Sequence, residues 1–214
     1  MVVGADAYDH RKLPELERKV ADQVNTGTYD LDANLALLRL YNVQPERIDL
    51  RLVASILIKA MMQLPKPDFA LALHMIPERL QEEQPVAALI ALTQHLEGAR
   101  FQKYWEAVDA CRDIVKAVPG YYEAVRAYIL QAIQSTCQKV TRATLAQSLR
   151  ADGETLDKLI QDKVASEGWS VNKTPGGGAI ISLPKNDMNT IRPPQSAQGM
   201  RLNTMLPMLV PAAQ

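Results

Sequence analysis

The sequence predicts a mostly α-helical protein: a helical array followed by a C-terminal winged helix with a small β-hairpin. Three observations predict it. Up to about Val140, apolar residues recur at three- and four-residue spacing through one segment after another, with breaks at Gly27, Pro45, Pro65, Pro77 and Gly120. Beyond Val140 come two short helical patterns, then Gly168-Trp169-Ser170-Val171, a glycine run, and Ala179-Ile180-Ile181-Ser182-Leu183. Helix, helix and hairpin within about 45 residues is the outline of a winged helix. The expected organisation is a frayed 1–12, a helical domain over 13–139, a winged helix over 140–184 and an extended tail over 185–214.

The first helix is expected over Leu13–Asn25. Pro14 suits its first turn, Leu13, Leu16, Val20 and Val24 share a face, and Gly27 ends it. Asp30 N-caps a second helix, Leu31–Tyr41, where Leu31, Leu35 and Leu38 form a stripe that Leu37, Leu40 and Tyr41 widen. The Glu46–Gln63 segment is apolar nearly all round, which places it between layers. Asp68 is positioned to cap the helix carrying Phe69, Leu71, Leu73 and Met75, and Pro77 interrupts that helix. Further helices are expected from Glu82–Pro85 to Gly98, over Phe101–Val118 and over Tyr121–Lys139. Short connections imply stacking in pairs, as a right-handed array without a sequence repeat. In the winged helix, Thr141–Leu149 turns Leu145 and Leu149 inward. A helix from Asp152 or Gly153 to Glu167 carries Leu156, Leu159, Ile160 and Val164 at helical spacing. Trp169–Asn172 and Ala179–Leu183 form the wing.

Charge and cysteine usage narrow the function. The 24 basic and 24 acidic residues cancel, so no overall field draws the chain to nucleic acid or anionic lipid. Cys111 and Cys137 form no CxxC and fit free thiols in a reducing compartment. The N-terminus lacks a signal-peptide pattern and a glycine at position 2, and no apolar run reaches membrane-spanning length. The expectation is a soluble, cytoplasmic protein, with a nuclear fraction allowed.

No constellation carries catalysis. His74 and Glu78 lie one helical turn apart, but a metal site needs three or four ligands and Pro77 disrupts the turn. His10 and His95 have no ligand-spaced partner. Gly176-Gly177-Gly178 lacks the following Lys-Ser/Thr and helix of a phosphate loop and reads as a wing turn. The expected catalytic, cofactor and metal sets are empty. The helix in the recognition position, Gly153–Glu167, carries Glu154, Asp157, Asp162 and Glu167 against Lys158 and Lys163. Four acids against two lysines is the wrong sign for a groove-reading helix, which argues against sequence-specific DNA binding. Lys139, Arg142 and Arg150 on its flank are candidates for weak RNA contact. A two-stranded wing leaves an unpaired edge for a neighbour's strand, with Ile180 and Leu183 beside it. In the tail, Met200, Leu202, Met205, Leu206, Met208 and Leu209 are too apolar for a pure linker. Methionine suits an adaptable docking surface, and folding back onto the array is the alternative.

The stretch Tyr29-Asp30-Leu31-Asp32-Ala33-Asn34-Leu35-Ala36-Leu37-Leu38-Arg39-Leu40-Tyr41 resembles the signature of the subunit K family of the eukaryotic translation initiation factor three complex. Leu64-Pro65 with Asp68-Phe69, Phe101-Gln102 with Trp105, and Gly168-Trp169 agree with it, so the resemblance spans roughly residues 13–183. It implies a HEAT-like helical domain plus winged helix related to PCI modules, no catalytic activity, and a place among the factor's sister subunits on the small ribosomal subunit. Subunit L is the neighbour it implies. The proline- and methionine-rich tail departs from the helical tail that the family contributes to a bundle formed with the tails of its sister subunits. Two other readings stand beside it: a scaffold of a proteasome-lid or signalosome assembly, and a winged-helix nucleic-acid regulator.

Overall fold

The computed structural model describes residues 10–151, 153–173 and 178–190. After a 3-10 turn at His10–Lys12, eleven helices and three strands follow among these residues. Helix α1 spans Leu13–Thr26, with Pro14 in its first turn, and Gly27 closes it at φ 74°, a left-handed conformation that glycine adopts without steric cost. Helix α2 spans Leu31–Val43, and the Asp30 carboxylate accepts from the Ala33 amide at 3.1 Å, as a capping aspartate should.

The expected Glu46–Gln63 helix is two pieces. Pro45–Arg47 is a 3-10 turn, and α3 is Leu50–Met61. Asp49 makes the break: its backbone is extended and its carboxylate accepts from the Arg51 amide at 2.8 Å. Helix α3 does lie between layers, packing against α1, α2, α4 (Asp68–His74), α6 (Val86–Glu97) and α9 (Tyr121–Thr136). Its Leu57 is 0% exposed, and Ile56, Ile58 and Met61 are equally enclosed. Asp68 opens α4 without capping it, because its carboxylate accepts the Tyr29 hydroxyl at 3.0 Å. The chain turns at Met75–Pro77 into the single-turn α5, Glu78–Gln81, ahead of α6.

The expected Phe101–Val118 helix is also divided. Helix α7 covers Phe101–Ala110, the chain breaks at Cys111, and α8 covers Arg112–Val115. The break leaves Val115 and Val118 both in the core. Helix α9 stops at Thr136, and Lys139–Thr141 is a strand, β1. The helix expected to reach Lys139 therefore ends three residues early, where Val140 and Thr141 pair with a later strand. Helix α10 (Arg142–Leu149) is capped by Thr141, and Leu145 and Leu149 face inward. Helix α11 (Gly153–Glu167) buries Leu156 and Ile160, whereas Val164, at the same helical spacing, is 42% exposed.

Strands β2 (Ser170–Lys173) and β3 (Ala179–Ser182) complete a three-stranded antiparallel sheet in the order β1-β3-β2. The hairpin expected from the sequence has gained a third strand, and β3 is central. Val140, Ile181 and Val171 lie opposite one another across the sheet. The core is continuous from Leu13 through the array to Trp169 and Ile181.

Candidate protein interface

Two features make the C-terminal unit a rigid platform: its seam with the array and its capped exit. At the seam, Trp105 of α7 donates its indole N–H to the Ser148 carbonyl at 2.8 Å. Arg126 of α9 donates to the Leu149 carbonyl at 3.2 Å and lies 6.0 Å from the Trp105 ring centroid. The last carbonyls of a helix have no partner within it, so here the array supplies the C-terminal cap of α10. Arg150 ends α10 at φ 47°, where glycine is usual, and its guanidinium pairs with Asp109 at 2.8 Å. Hydrogen bonds from Arg150 and then Arg112 hold the Asp109 carboxyl down to about 2. Tyr122 also stacks with Trp105, 6.5 Å between centroids.

At the exit, residues 184–190 are not an extended tail. The Asn186 carboxamide oxygen accepts from the Met188 and Asn189 amides, making a tight turn. The Asn189 side-chain amide reaches the Gln134, Cys137 and Pro184 carbonyls, and Gln138 donates to the Asn189 carbonyl at 2.7 Å. The turn is thus bolted to the C-terminal end of α9.

Among the described residues the unpaired edges of the sheet belong to β1 and β2. Strand β3 has both edges paired, which corrects the expectation that Ile180 and Leu183 border the open one. Ile180 sits opposite Thr141 and Asn172, and Leu183 is buried, its amide bonded to the Gln138 carbonyl. All four residues of β2 are exposed, and Val171 is 46% exposed although Ile181 and Val140 in the same row are buried. The apolar row therefore runs past its cover at β2. Helix α11 presents its charged face outward, with Asp157 paired to Arg142 at 2.9 Å and Lys163 paired to Glu167.

Of the cations considered for RNA, Arg142 and Arg150 are thus engaged within the chain, while Lys139 is exposed on β1. Met200, Leu202, Met205, Leu206, Met208 and Leu209 lie outside the described residues. No group of three or more His, Cys, Asp or Glu able to hold a metal occurs among the described residues. The His74 ring shares a hydrogen with the Ala70 carbonyl. Burial pushes the Cys111 thiol up, and it donates to the Ala107 carbonyl. No helix among the described residues is long and apolar enough to cross a membrane.

In the Tyr29–Tyr41 stretch, Tyr29, Asp30, Asn34 and Tyr41 have polar groups bonded within the chain. Gln23 donates to Asn34 and accepts the Asp30 amide, Tyr41 donates to Glu17, and the buried Lys59 ammonium donates to the Thr28 carbonyl. Desolvation lowers the pKa of Lys59. These bonds fix the α1–α2 turn against α3 and α4, so the stretch serves the architecture of the array.

Comparison with known proteins agrees with this architecture. The chain is 34% identical to eukaryotic translation initiation factor 3 subunit K of Homo sapiens over 174 residues, 81% of this chain and 78% of that protein. The subunit K of Danio rerio is 35% identical over 79% of this chain and 76% of its own. That of Drosophila erecta is 28% identical over 85% and 79%. Residues 47–189, from the turn before α3 to the asparagine that closes the exit, match the model of the CSN8/PSMD8/EIF3K family. The chain belongs to the CSN8/PSMD8/EIF3K family, and its relatives there are subunits K of eukaryotic translation initiation factor 3.

Proposed function

We propose that this chain is a non-catalytic scaffold subunit of eukaryotic translation initiation factor 3. It binds sister subunits, subunit L foremost, and supports pre-initiation complex assembly on the small ribosomal subunit in the cytoplasm. The observation that carries this reading is the open edge of β2, where a half-covered apolar row ends on a platform anchored by Trp105, Arg126 and Arg150. A partner strand added there would cover Val171 and use the unpaired backbone of β2. Ile180 and Leu183 then act from behind the edge, as the central strand and its support. The tail residues Met200, Leu202, Met205, Leu206, Met208 and Leu209 form a second, methionine-rich contact, and Lys139 a minor RNA contact.

The test is affinity purification of the full chain with mass spectrometry. Recovery of the other initiation-factor subunits is expected. Val171→Pro, which removes an amide on the open side of β2 together with the exposed apolar side chain, should cut recovery of the adjoining subunit by about tenfold or more. Deleting 191–214 should weaken recovery separately. Recovery of proteasome-lid or signalosome subunits instead would favour the other assemblies that the family name spans.

A further inference from the structure

A hollow of about 310 Å³ lies between the start of α7 and the outer side of α10. It is lined by Arg100, Gln102, Lys103, Thr144, Gln147 and Ser148, among others, and its lining holds two cations and no carboxylate. Arg100 occupies the N-cap position of α7 without making a side-chain cap, and the first turn of α7 carries no acid. The first backbone bond of the helix is from the Tyr104 amide to the Arg100 carbonyl, so the amides of Phe101, Gln102 and Lys103 have no partner among the described residues. That is an N-terminus with its partial positive charge uncompensated. Ser148 adds an independent sign of a ligand. It is 9% exposed, lines the hollow, and its hydroxyl has no partner among the described residues. A serine in the last turn of α10, nine-tenths buried and with no partner for its hydroxyl among the described residues, can donate to an oxyanion in the basic hollow.

We propose that this hollow binds the phosphate of a phosphorylated serine or threonine on a partner protein. An adjoining hollow of about 460 Å³ shares Gln102 and Gln147 with the first, and these two glutamines are hydrogen-bonded to each other at 3.1 Å. The second hollow has the opposite character: Glu106 and Asp109 line it, with Arg150 already held by Asp109. Glu106 has no partner among the described residues. The two-part groove therefore fits a segment carrying a phosphate followed by a basic side chain on the Glu106 side. An RNA strand fits it poorly, because its next phosphate would face Glu106 and Asp109. Phe101 lines the first hollow but is partly buried against the core, and Trp105 in the second is 5% exposed, so the two carboxylates decide against RNA. Lys103 and Arg100 supply charge, Arg100 from the rim above Gly98; the α7 amides and Ser148 supply directed hydrogen bonds.

The test is an amide NMR titration of the full chain with four probes: inorganic phosphate, a short peptide with one phosphoserine beside an arginine, its unphosphorylated twin, and a uridine decamer. The phosphopeptide is expected to shift the Gln102, Lys103 and Ser148 amides and to bind about tenfold or more tighter than its twin. Lys103→Glu should weaken it about tenfold, and Ser148→Ala a few-fold. Glu106→Arg should weaken the phosphopeptide while leaving inorganic phosphate unchanged or tighter, a pattern that general destabilisation does not produce. Four results overturn the proposal. They are no shift at these amides, equal binding of the twin, binding of inorganic phosphate without the phosphopeptide, and tighter binding of the decamer at the same amides.

Discussion

Helices α3 and α11 are of similar length, 12 and 15 residues, yet α3 buries eight of its residues and α11 two. The first is enclosed by five other helices; the second rests on Leu156 and Ile160 and turns Val164 and its acids to solvent. The sequence already separates them: the segment holding α3 is apolar nearly all round, whereas α11 carries four apolar residues at helical spacing among its charges. The array wraps α3, whereas α11 buries only one narrow strip. A chain that keeps its most buried helix in the middle of an array is free to leave a winged helix as exposed surface.

The contrast is open to measurement, and the sharpest test is in α3. Leu57→Ala should cost about 2–5 kcal/mol in denaturant unfolding, because a fully enclosed site collapses poorly around a cavity. A cost under about 1 kcal/mol would mean that α3 is not the keystone of the array. Next is the seam. Trp105→Phe strands the Ser148 carbonyl and should cost about 1–3 kcal/mol. Hydrogen exchange should rise in α10 and the sheet before it rises in α3. Uniform loosening would erase the distinction between the two regions.

A smaller effect concerns pH. Asp109 is held down to about 2, so its contribution is present above the ordinary aspartate range and is lost as pH falls from about 4 through 2. The carboxyl resonance of Asp109 should titrate near 2 and move up toward about 3.9 in Arg150→Ala. The smallest effect belongs to α11: Val164→Ala should change stability by less than about 0.5 kcal/mol, as surface substitutions do.

The helices of the array were legible where a local signal marked their ends. Asp30 and Gly27 each act within a few residues, through a side-chain cap and a left-handed turn. Asp49 was hidden, since a cap inside a long apolar stretch changes the periodicity very little. Strand β1 was illegible for another reason: three residues become a strand only because β3, some forty residues later, pairs with them. The face of the sheet was lost in the adjacent Ile180 and Ile181, where alternation cannot say which isoleucine points inward. Ile181 does, and Val171, opposite it on the next strand, is the exposed apolar residue of that row. The seam and the exit were beyond sequence reading, since Trp105 meets Ser148 and Asn189 meets Gln134 across more than forty residues. The phosphate hollow was missed as well, because its basic residues and its serine come from two helices that do not adjoin in sequence.

The turn at Asn186–Asn189 has a mechanical consequence. Tension applied to the chain beyond Thr190 reaches the carbonyls of Gln134 and Cys137 first, through the Asn189 amide, and then travels along the axis of α9 into the array. It does not arrive at β3 as a peeling force. A load on the C-terminus is thereby borne in shear by the longest helix among the described residues, and the sheet, with its open edge, stays out of the line of pull.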